Sequence, residues 1–271
     1  MENESCQFLV AGFRDKSIRI WIPGQDSPLI QHFDAHQAWI RFIHSCCSAN
    51  AFVSVGVDGS VKKWRINGEN LEKLAEIKLI SPVKSISANL DNFFAICSDN
   101  KVRILEDSAD GLVLAWTVKY FRGQTTAVAA VKNQLFLANK DGWLCCLDRR
   151  TWKRSSSAKM PSAAVVVRIF DGTVYCGLKN GDLAEFDLEL NSLRILQIFS
   201  AKVGVLQLHI LLGTIFAASA GGSVVVLQRK DLNQLFRGSS GHEIISSSTT
   251  QKALIFVTEK GVIQFWSFKQ H

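Results

Sequence analysis

The chain has 271 residues, of which 47% are hydrophobic and 20% are charged, and its formal net charge is +7. This composition is typical of a globular protein and excludes a collagen-like or low-complexity chain. The positive charge favours anionic partners such as acidic peptides or nucleic acid, but it carries no information about the fold.

The N-terminal segment MENESCQF lacks the basic start and the apolar core of an export signal. The chain has seven cysteines and no Cys-x-x-Cys pair, so the sequence indicates neither a disulfide framework nor a paired zinc site. We therefore expect reduced cysteines in a cytoplasmic or nuclear protein.

A hairpin pattern recurs along the chain at intervals of about 40 residues. Its clearest copy is SVGVDGSVKKW, in which two short strands flank a tight turn. The residues that close the second strand are Trp21, Trp64, Leu105, Leu147, Phe186, Leu227 and Trp266. The turns begin at Asp15, Asp58, Asp99, Asp141, Asn180, Gly221 and Lys260, and the next positions are Lys16, Gly59, Asn100, Gly142, Gly181, Gly222 and Gly261. Six of these seven next residues are Gly or Asn, which tolerate the left-handed backbone of a tight hairpin.

Each copy has an apolar strand before the turn, as in AFVSVG and LFLANK, and six copies have another before that one, as in AVVVRIF. Such continuous apolar strands are covered on both faces of their sheet. More amphipathic strands, such as LAEIKL and LRILQIF, follow the closing residues. Four strands per repeat, from a buried inner strand to a mixed outer strand, predict an all-β protein with a seven-bladed β-propeller fold. Six blades plus extra strands is the alternative.

The strand pattern contains two strands fewer than seven complete blades require, because the first copy lacks an inner strand and the last lacks an outer one. We therefore expect a single domain over residues 1–271, with an incomplete seam between the first and last blades. Three explanations stay open: the seam is incomplete, a partner donates strands, or a segment upstream of Met1 supplies them. Unpaired strand edges recruit other strands, so the seam is either an interaction site or a liability.

The segment from Val203 to Gln228 contains no Asp, Glu, Lys or Arg and is long enough to span a bilayer. Its four glycines, its polar Gln207 and His209, and its many β-branched residues instead predict two buried strands and a turn. We therefore expect no membrane span.

The repeat resembles the WD-repeat (Trp-Asp repeat) family over essentially the whole chain. The resemblance implies a structural tetrad of His36, Ser54, Asp58 and Trp64, in which the buried carboxylate accepts from the imidazole and a His–Ser–Trp chain satisfies buried polar groups. The Trp-Asp dipeptide itself is absent, and leucine or phenylalanine closes copies three to six. The chain is therefore identified as a divergent member.

The sequence contains no nucleophile elbow, phosphate-binding loop or metal-ligand spacing. His32, Asp34 and His36 superficially resemble a metal cluster, but they fall at a strand end and lack further ligands. The hairpin aspartates are spread evenly over the repeats, whereas acid–base catalysis needs paired groups close together. We predict that the protein is not an enzyme and uses no cofactor and no metal.

In the family that the sequence resembles, one face is built from the loops before the inner strands and from the second-to-third hairpins. The candidate partner-binding residues on these loops are Arg14, Lys16, Trp39, Arg41, Tyr120, Phe121, Arg122, Lys140, Lys179 and Lys202. Aromatic and arginine side chains are enriched in binding hot spots. In the alternative reading, Tyr120 and Phe121 finish an outer strand and pack on the next blade.

A second basic group, the basic rim patch, lies on a third-to-outer turn and its outer strand. It consists of Arg149, Arg150, Lys153 and Arg154, with Lys159 beyond them. It is either a solvated edge protected by charge against aggregation or a surface for an acidic partner.

The leading hypothesis is a non-catalytic protein–protein interaction scaffold that acts as a subunit or adaptor of a larger complex. It would bind other proteins through peptide segments on the loop face or through strand pairing at the seam. One alternative is a nucleic-acid- or phosphopeptide-binding module that uses the basic loops. Another is a substrate receptor of a ubiquitin ligase acting through a separate adaptor, since short connections such as DGT are similar to those of F-box-type receptors.

Overall fold

The computed structural model describes residues 8–22, 27–46, 50–89, 92–108, 111–200, 203–211, 213–249, 253–260 and 262–267. Within these ranges the chain forms strands and turns and no helix. The strands form seven antiparallel sheets, in which strands consecutive along the chain pair with each other. The chain divides into two compact units, Met1–Arg122 and Gly123–His271.

The first unit contains three sheets. The first sheet has three strands: β1 (Leu9–Gly12), β2 (Ile18–Trp21) and β3 (Ile30–His32). The second sheet has four: β4 (Ile40–Ser45), β5 (Ala51–Gly56), β6 (Ser60–Asn67) and β7 (Asn70–Lys78). The third also has four: β8 (Val83–Asn89), β9 (Asn92–Cys97), β10 (Val102–Ser108) and β11 (Gly111–Val118).

The second unit contains four sheets. Its first sheet has β12 (Thr125–Val131), β13 (Gln134–Asn139), β14 (Trp143–Asp148) and β15 (Arg154–Lys159). Its second has β16 (Ala164–Phe170), β17 (Thr173–Leu178), β18 (Asp182–Asp187) and β19 (Ser192–Gln197). Its third has β20 (Val205–Leu211), β21 (Thr214–Ser219), β22 (Ser223–Gln228) and β23 (Gln234–Ser239). The last has three strands: β24 (Ile244–Thr249), β25 (Ala253–Thr258) and β26 (Ile263–Ser267).

The repeated turn has a left-handed residue at the position that the sequence predicts. The six described positions have positive φ angles, at Lys16 (72°), Gly59 (84°), Asn100 (60°), Gly142 (79°), Gly181 (91°) and Gly222 (82°). Gly261, the seventh, lies outside the described residues. At Gly59 a side chain is also excluded by space, because an added Cβ would lie 2.9 Å from the Leu79 carbonyl oxygen.

Two β-bulges recur in the sheets, and the sequence pattern does not reveal them. One interrupts the pairing of inner and second strands just after Ile40, Val83, Thr125, Ala164, Val205 and Ile244. The other interrupts the pairing of third and outer strands at Trp64, Leu105, Leu147, Phe186 and Leu227. These five residues are the ones that close the sequence repeats, so a β-bulge recurs at the same position of the repeat, as the hairpin does. A bulge bends its strand and increases the local twist.

The hydrophobic core is divided into layers between consecutive sheets. In the first unit, Ile18, Phe52 and Trp64 belong to a layer between the first two sheets, and a second layer joins the next two. In the second unit, three layers join the four sheets in the same way. Every residue of β5 is buried, which explains its continuous apolar sequence. The inner strands of neighbouring sheets contact each other within each unit. In the first unit β4 contacts β8, and in the second β12 contacts β16, β16 contacts β20 and β20 contacts β24.

The uncharged segment from Val203 to Gln228 differs from its prediction. It contains three strands, β20, β21 and β22, rather than two strands and a turn. The strands are short because Gly213 and Gly222 provide positive-φ turns. The part of the chain that the structure describes contains no helix with the length and apolarity that a membrane crossing requires.

The strand content agrees with the predicted repeat, since the first and last sheets have three described strands and the others have four. The single domain over residues 1–271 and the incomplete seam stay predictions.

A buried ion pair joins the second and third sheets. Lys63 Nζ on β6 lies 2.6 Å from Asp107 Oδ1 on β10, with 2% and 8% of the two side chains exposed. Lys63 Nζ also donates to the Ser108 carbonyl oxygen at 2.8 Å. Removing one partner of a buried pair leaves an uncompensated charge, which destabilises far more than removal of an exposed pair.

We predict that Asp107→Ala lowers the free energy of unfolding by ~3–5 kcal/mol. The matched control is Lys73→Ala, which breaks the exposed pair of Lys73 and Glu76 at 2.8 Å and should cost less than ~1 kcal/mol. Urea denaturation followed by tryptophan fluorescence measures both. The double variant Lys63→Met/Asp107→Leu should recover most of the loss, and equal losses for Asp107→Ala and Lys73→Ala would contradict the assignment.

Candidate functional site

The second-to-third hairpins and the connections that lead into the inner strands meet at one edge of each sheet, here called the hairpin edge. Backbone hydrogen bonds join these segments in the first unit. The amides of Ile40, Val57 and Leu79 donate to the carbonyls of Phe13, Trp39 and Gly59 at 3.2, 2.9 and 2.9 Å. In the second unit, the amides of Lys140, Lys179 and Ser240 donate to the carbonyls of Gln124, Ala163 and Gly222 at 3.0, 2.9 and 2.9 Å. Side chains on these segments therefore stand on a hydrogen-bonded backbone.

The four predicted tetrad residues belong to one hydrogen-bonded chain, here called the relay. Trp64 Nε1 donates to Ser54 Oγ at 2.7 Å, and Ser54 Oγ lies 2.6 Å from His36 Nε2. On the other side of the ring, His36 Nδ1 lies 2.8 Å from Ser60 Oγ, which donates to Asp58 Oδ1 at 2.7 Å. The expected bond between imidazole and carboxylate therefore passes through Ser60, a residue that the sequence reasoning did not identify.

The donors in the relay all point the same way. A carboxylate only accepts, so Ser60 gives its hydroxyl hydrogen to Asp58 and accepts from His36 Nδ1–H. Nε2 of the neutral ring then accepts from Ser54, which itself accepts from the indole N–H. Only 1% of His36 is exposed, and burial, followed by the charge of Lys62, lowers its pKa to about 4. The ring is neutral at pH 7, and every polar group of the relay has a partner.

Asp58 anchors the charged end of the relay. Burial is the largest influence and raises its pKa, but hydrogen bonds from Lys78 and Ser60 outweigh burial and hold the pKa at about 2. Lys78 Nζ lies 2.8 Å from Oδ2. The same kind of turn occurs at Asp15, whose Oδ1 accepts from the Ser17 amide at 3.0 Å and from its hydroxyl at 2.6 Å. The hairpin aspartates of the first unit therefore stabilise turns.

Gly56 makes room for the relay. A Cβ at this position would lie 2.8 Å from His36 Nδ1 and 3.0 Å from Ser60 Oγ, closer than side-chain atoms pack. Its backbone is not left-handed, so the glycine is required by space rather than by conformation.

Arg14, Trp39 and Ile80 are exposed on the hairpin edge of the first unit. Together with the exposed Arg41 they form a surface here called the Trp39 patch. Trp39 is 52% exposed, and the Arg14 guanidinium lies 5.1 Å from the centroid of its ring. Ile80 is 92% exposed on the connection between β7 and β8. The β5–β6 hairpin links the two, because Val57 bonds to Trp39 and Gly59 bonds to Leu79. The sequence analysis identified Trp39, Arg14 and Arg41 but missed Ile80. The one sequence feature that could have indicated its exposure is that a large aliphatic residue precedes Ser81 and Pro82, which favour a loop.

The other candidates of the first unit differ in environment. Lys16 is half-buried in the β1–β2 hairpin, and Arg122 is exposed. Tyr120 and Phe121 are half-buried, with their rings in edge-to-face contact at 4.9 Å. Both residues lie beyond β11, which ends at Val118, so they do not finish that strand, and their part in partner binding stays a prediction.

The candidates of the second unit are single cations. Lys140 and Lys179 are exposed on the β13–β14 and β17–β18 hairpins, and Lys202 lies outside the described residues. A feature that the sequence reasoning missed is the exposed Trp143, whose ring lies 5.3 Å from Lys159 Nζ.

The basic rim patch lies on the β14–β15 turn and the start of β15, at the sheet edge opposite the β13–β14 hairpin. Arg150, Lys153 and Arg154 are exposed. Arg149 is half-buried and donates to the Lys132 carbonyl at 3.1 Å, so one of the four cations is used to fix the turn.

No cluster of three or more His, Cys, Asp or Glu side chains in the described ranges is placed to hold a metal ion. The ring of His32 packs edge-to-face on Trp64, with centroids 5.3 Å apart. Cys97 and Cys176 are buried, and burial raises the pKa of both thiols.

Comparisons with known proteins agree with this architecture. No protein-family model matches the chain. The F-box/WD repeat-containing protein mec-15 of Caenorhabditis elegans is 23% identical over 164 residues, covering 56% of this chain and 40% of that protein. The chain thus matches less than half the length of this relative.

Two solved structures are similar over nearly the whole chain. The β-propeller domain of Myceliophteria thermophila Cps50 (Swd1) has a TM-score of 0.81 at 14% identity, covering 98% of this chain and 94% of that one. The computationally designed Ika8 protein has a TM-score of 0.71 at 19% identity, covering 97% and 83%. With its seven sheets, the chain has the all-β, seven-bladed β-propeller fold, which confirms the predicted fold class. The similarity to mec-15 supports a WD-repeat propeller.

We predict that Gly56→Ala destabilises the protein by ~1–3 kcal/mol, because its methyl group displaces His36 or Ser60 in a packed site. Gly221→Ala is the matched control, since a Cβ there meets no atom within 4 Å. It should change stability by less than ~1 kcal/mol. Denaturant unfolding of both variants measures the difference in the free energy of unfolding. An unchanged value for Gly56→Ala would contradict the close packing around Gly56.

The relay also predicts a pH dependence of stability. The folded-state pKa of His36, about 4, lies below the ordinary value of about 6.5. The unfolded chain therefore binds a proton first as the pH falls, and stability is lost between about pH 6.5 and 4. His209, whose pKa burial also lowers to about 4, contributes in the same window. Unfolding free energies at pH 7, 6 and 5 should fall less steeply in His36→Gln than in the wild type, and identical slopes would contradict the neutral buried ring.

Proposed function

We propose that the chain is a non-catalytic protein-interaction scaffold, a subunit or adaptor of a larger assembly, and that the Trp39 patch binds a peptide segment of a partner. The observation that carries the proposal is the pair of large apolar side chains, Trp39 and Ile80, exposed on a hydrogen-bonded hairpin edge. A tryptophan has only two side-chain torsions and loses little conformational entropy on binding, and aromatic and arginine side chains are enriched among the residues that dominate interface energetics.

The charges of the patch define the segment that it would accept. Arg14 and Arg41 are exposed cations. Lys16, two residues after Arg14, is half-buried. Two hairpin carboxylates of the first unit are already engaged, Asp15 by Arg19 at 2.7 Å and Asp58 by Lys78 at 2.8 Å. The patch therefore suits a segment that carries an apolar anchor next to acidic residues.

The comparisons lend support of a general kind, because the relative is a WD-repeat-containing protein and the fold is a propeller. The single domain over residues 1–271 is part of this proposal. So is strand pairing at the first or last sheet as a second mode of binding, since each has three described strands.

Two observations favour other functions. The exposed cations of the basic rim patch, Arg150, Lys153 and Arg154, suit a nucleic acid or a phosphopeptide. The similarity to an F-box/WD repeat-containing protein favours a substrate receptor of a ubiquitin ligase that acts with a separate adaptor. In that role too, the Trp39 patch would hold the substrate segment.

We predict that Trp39→Ser/Ile80→Ser weakens partner binding at least about 30-fold, as expected for loss of hot-spot side chains. The matched control, Trp116→Ser/Val113→Ser, removes a tryptophan and a valine that are 54% and 56% exposed on β11. Affinity purification of tagged full chains identifies the partners, and titration of the recombinant partner measures the dissociation constants.

A Tyr120/Phe121/Arg122 triple alanine variant tests the remaining aromatic candidates beside these two. Equal recovery of partners by the wild type and Trp39→Ser/Ile80→Ser would overturn the proposal. Binding that falls steeply with salt and is lost on Arg150→Gln/Lys153→Gln would instead favour the nucleic-acid or phosphopeptide function.

A further inference from the structure

A recessed cavity of about 190 Å³ lies within the second unit, at the ends of its inner strands. Residues 168–170 at the end of β16 and residues 208–210 on β20 line it, together with Thr249 at the end of β24. These strand ends lie next to the first-to-second turns, such as Asp171–Gly172, and so at the sheet edge opposite the hairpin edge.

Arg168 gives this cavity a positive charge that no described carboxylate neutralises. Its Nη1 donates to the carbonyl oxygen of Val167 at 3.0 Å. No carboxylate in the described ranges lies within ion-pair distance of its guanidinium. A guanidinium has five N–H donors in a planar fork, so most of this group is available to a ligand.

Arg229 provides the contrast on the same wall. Its guanidinium lies 5.0 Å from the ring centroid of Phe170, a residue that lines the cavity. Unlike Arg168, it forms an ion pair with Asp171, with Nη2 and Oδ2 2.9 Å apart. Arg168 thus lines the cavity without a carboxylate partner among the described residues, whereas Arg229 contacts a lining residue and is neutralised by Asp171.

The remaining polar groups of the cavity are neutral. His209 Nε2 lies 2.8 Å from Ser247 Oγ. Burial and then the charge of Arg168 lower the pKa of His209 to about 4, so the ring carries no charge at pH 7. Burial also lowers the pKa of Arg168, although a guanidinium stays protonated in proteins. The cavity therefore presents one net positive charge, which a monoanion matches.

The size of the cavity limits what can enter it. Sites for drug-sized ligands measure roughly 300–1,000 Å³, well above the volume found here. A cavity of about 190 Å³ accommodates a single small group, such as the end of an aspartate or glutamate side chain. Ile169, Phe170, Leu208 and Ile210 complete the lining, so the guanidinium is partly shielded from water and its attraction for an anion is strengthened.

We propose that this cavity is a carboxylate-binding site, in which Arg168 holds an acidic side chain of a partner protein through paired N–H donors. The site is independent of the Trp39 patch, and failure of either proposal leaves the other standing.

The test is an NMR titration of the ¹⁵N-labelled full chain at constant ionic strength, with chloride as the balancing anion. The probes are a blocked Gly-Glu-Gly peptide, N-acetylglutamate and inorganic phosphate. We expect the backbone amides of His209 and Thr249 to shift in a saturable way with the two carboxylates. Arg168→Gln should weaken the apparent affinity at least tenfold, and Arg168→Lys, which keeps the charge but not the fork, should weaken it by a smaller factor.

Arg229→Gln is the matched control, since it removes an equal charge that is already paired, and it should leave the affinity within about twofold of the wild type. Tighter binding of the peptide than of N-acetylglutamate identifies a protein segment as the source, and equal binding identifies a free carboxylic acid. Preference for phosphate, shifts no larger than those with chloride, or equal shifts in Arg168→Gln would each overturn the proposal. Thermal unfolding and the amide spectrum of each variant confirm that it is folded.

Discussion

Burial of the middle strands on both faces is the constraint on which the structure depends. Each layer of core residues joins two consecutive sheets, so the strands between layers have no surface for an unpaired polar group. Two buried polar groups show how partners are supplied there: Lys63 faces Asp107, and His36 sits between two serines. The same constraint confines binding chemistry to strand ends and loops, where the Trp39 patch and the Arg168 cavity are found.

The sequence predicts the fold well because the repeat is governed by local requirements. A tight hairpin needs a left-handed residue, and a strand covered on both faces needs continuous apolar residues, so both are visible in a single chain. The segment after Val203 shows the limit: Gly221 and Gly222 mark the turn between β21 and β22, but Gly213 alone marks the boundary between β20 and β21 within an apolar run. The bulges are equally hidden, because a bulge changes pairing without demanding a particular side chain.

The candidate sites were less predictable, since they depend on neighbours that are distant in sequence. Ser60 looks like an ordinary turn serine until His36, 24 residues away, is placed against its hydroxyl. Ile80 and Arg168 likewise gain meaning only from exposure and from absent partners, which a sequence does not report. In both cases the informative feature is a side chain that no described residue engages fully: an exposed apolar side chain in one unit and a cation without a carboxylate partner in the other.

The relay has a consequence for how the first unit can be observed. Because its donors run from the indole to Asp58, the Trp64 N–H is the first donor of the relay, bonded to Ser54 Oγ at 2.7 Å, and just 3% of that residue is exposed. This hydrogen can be replaced by deuterium only when the second sheet separates from its neighbours. Exchange of the Trp64 indole hydrogen therefore records the opening of that sheet over minutes to hours, without any substitution.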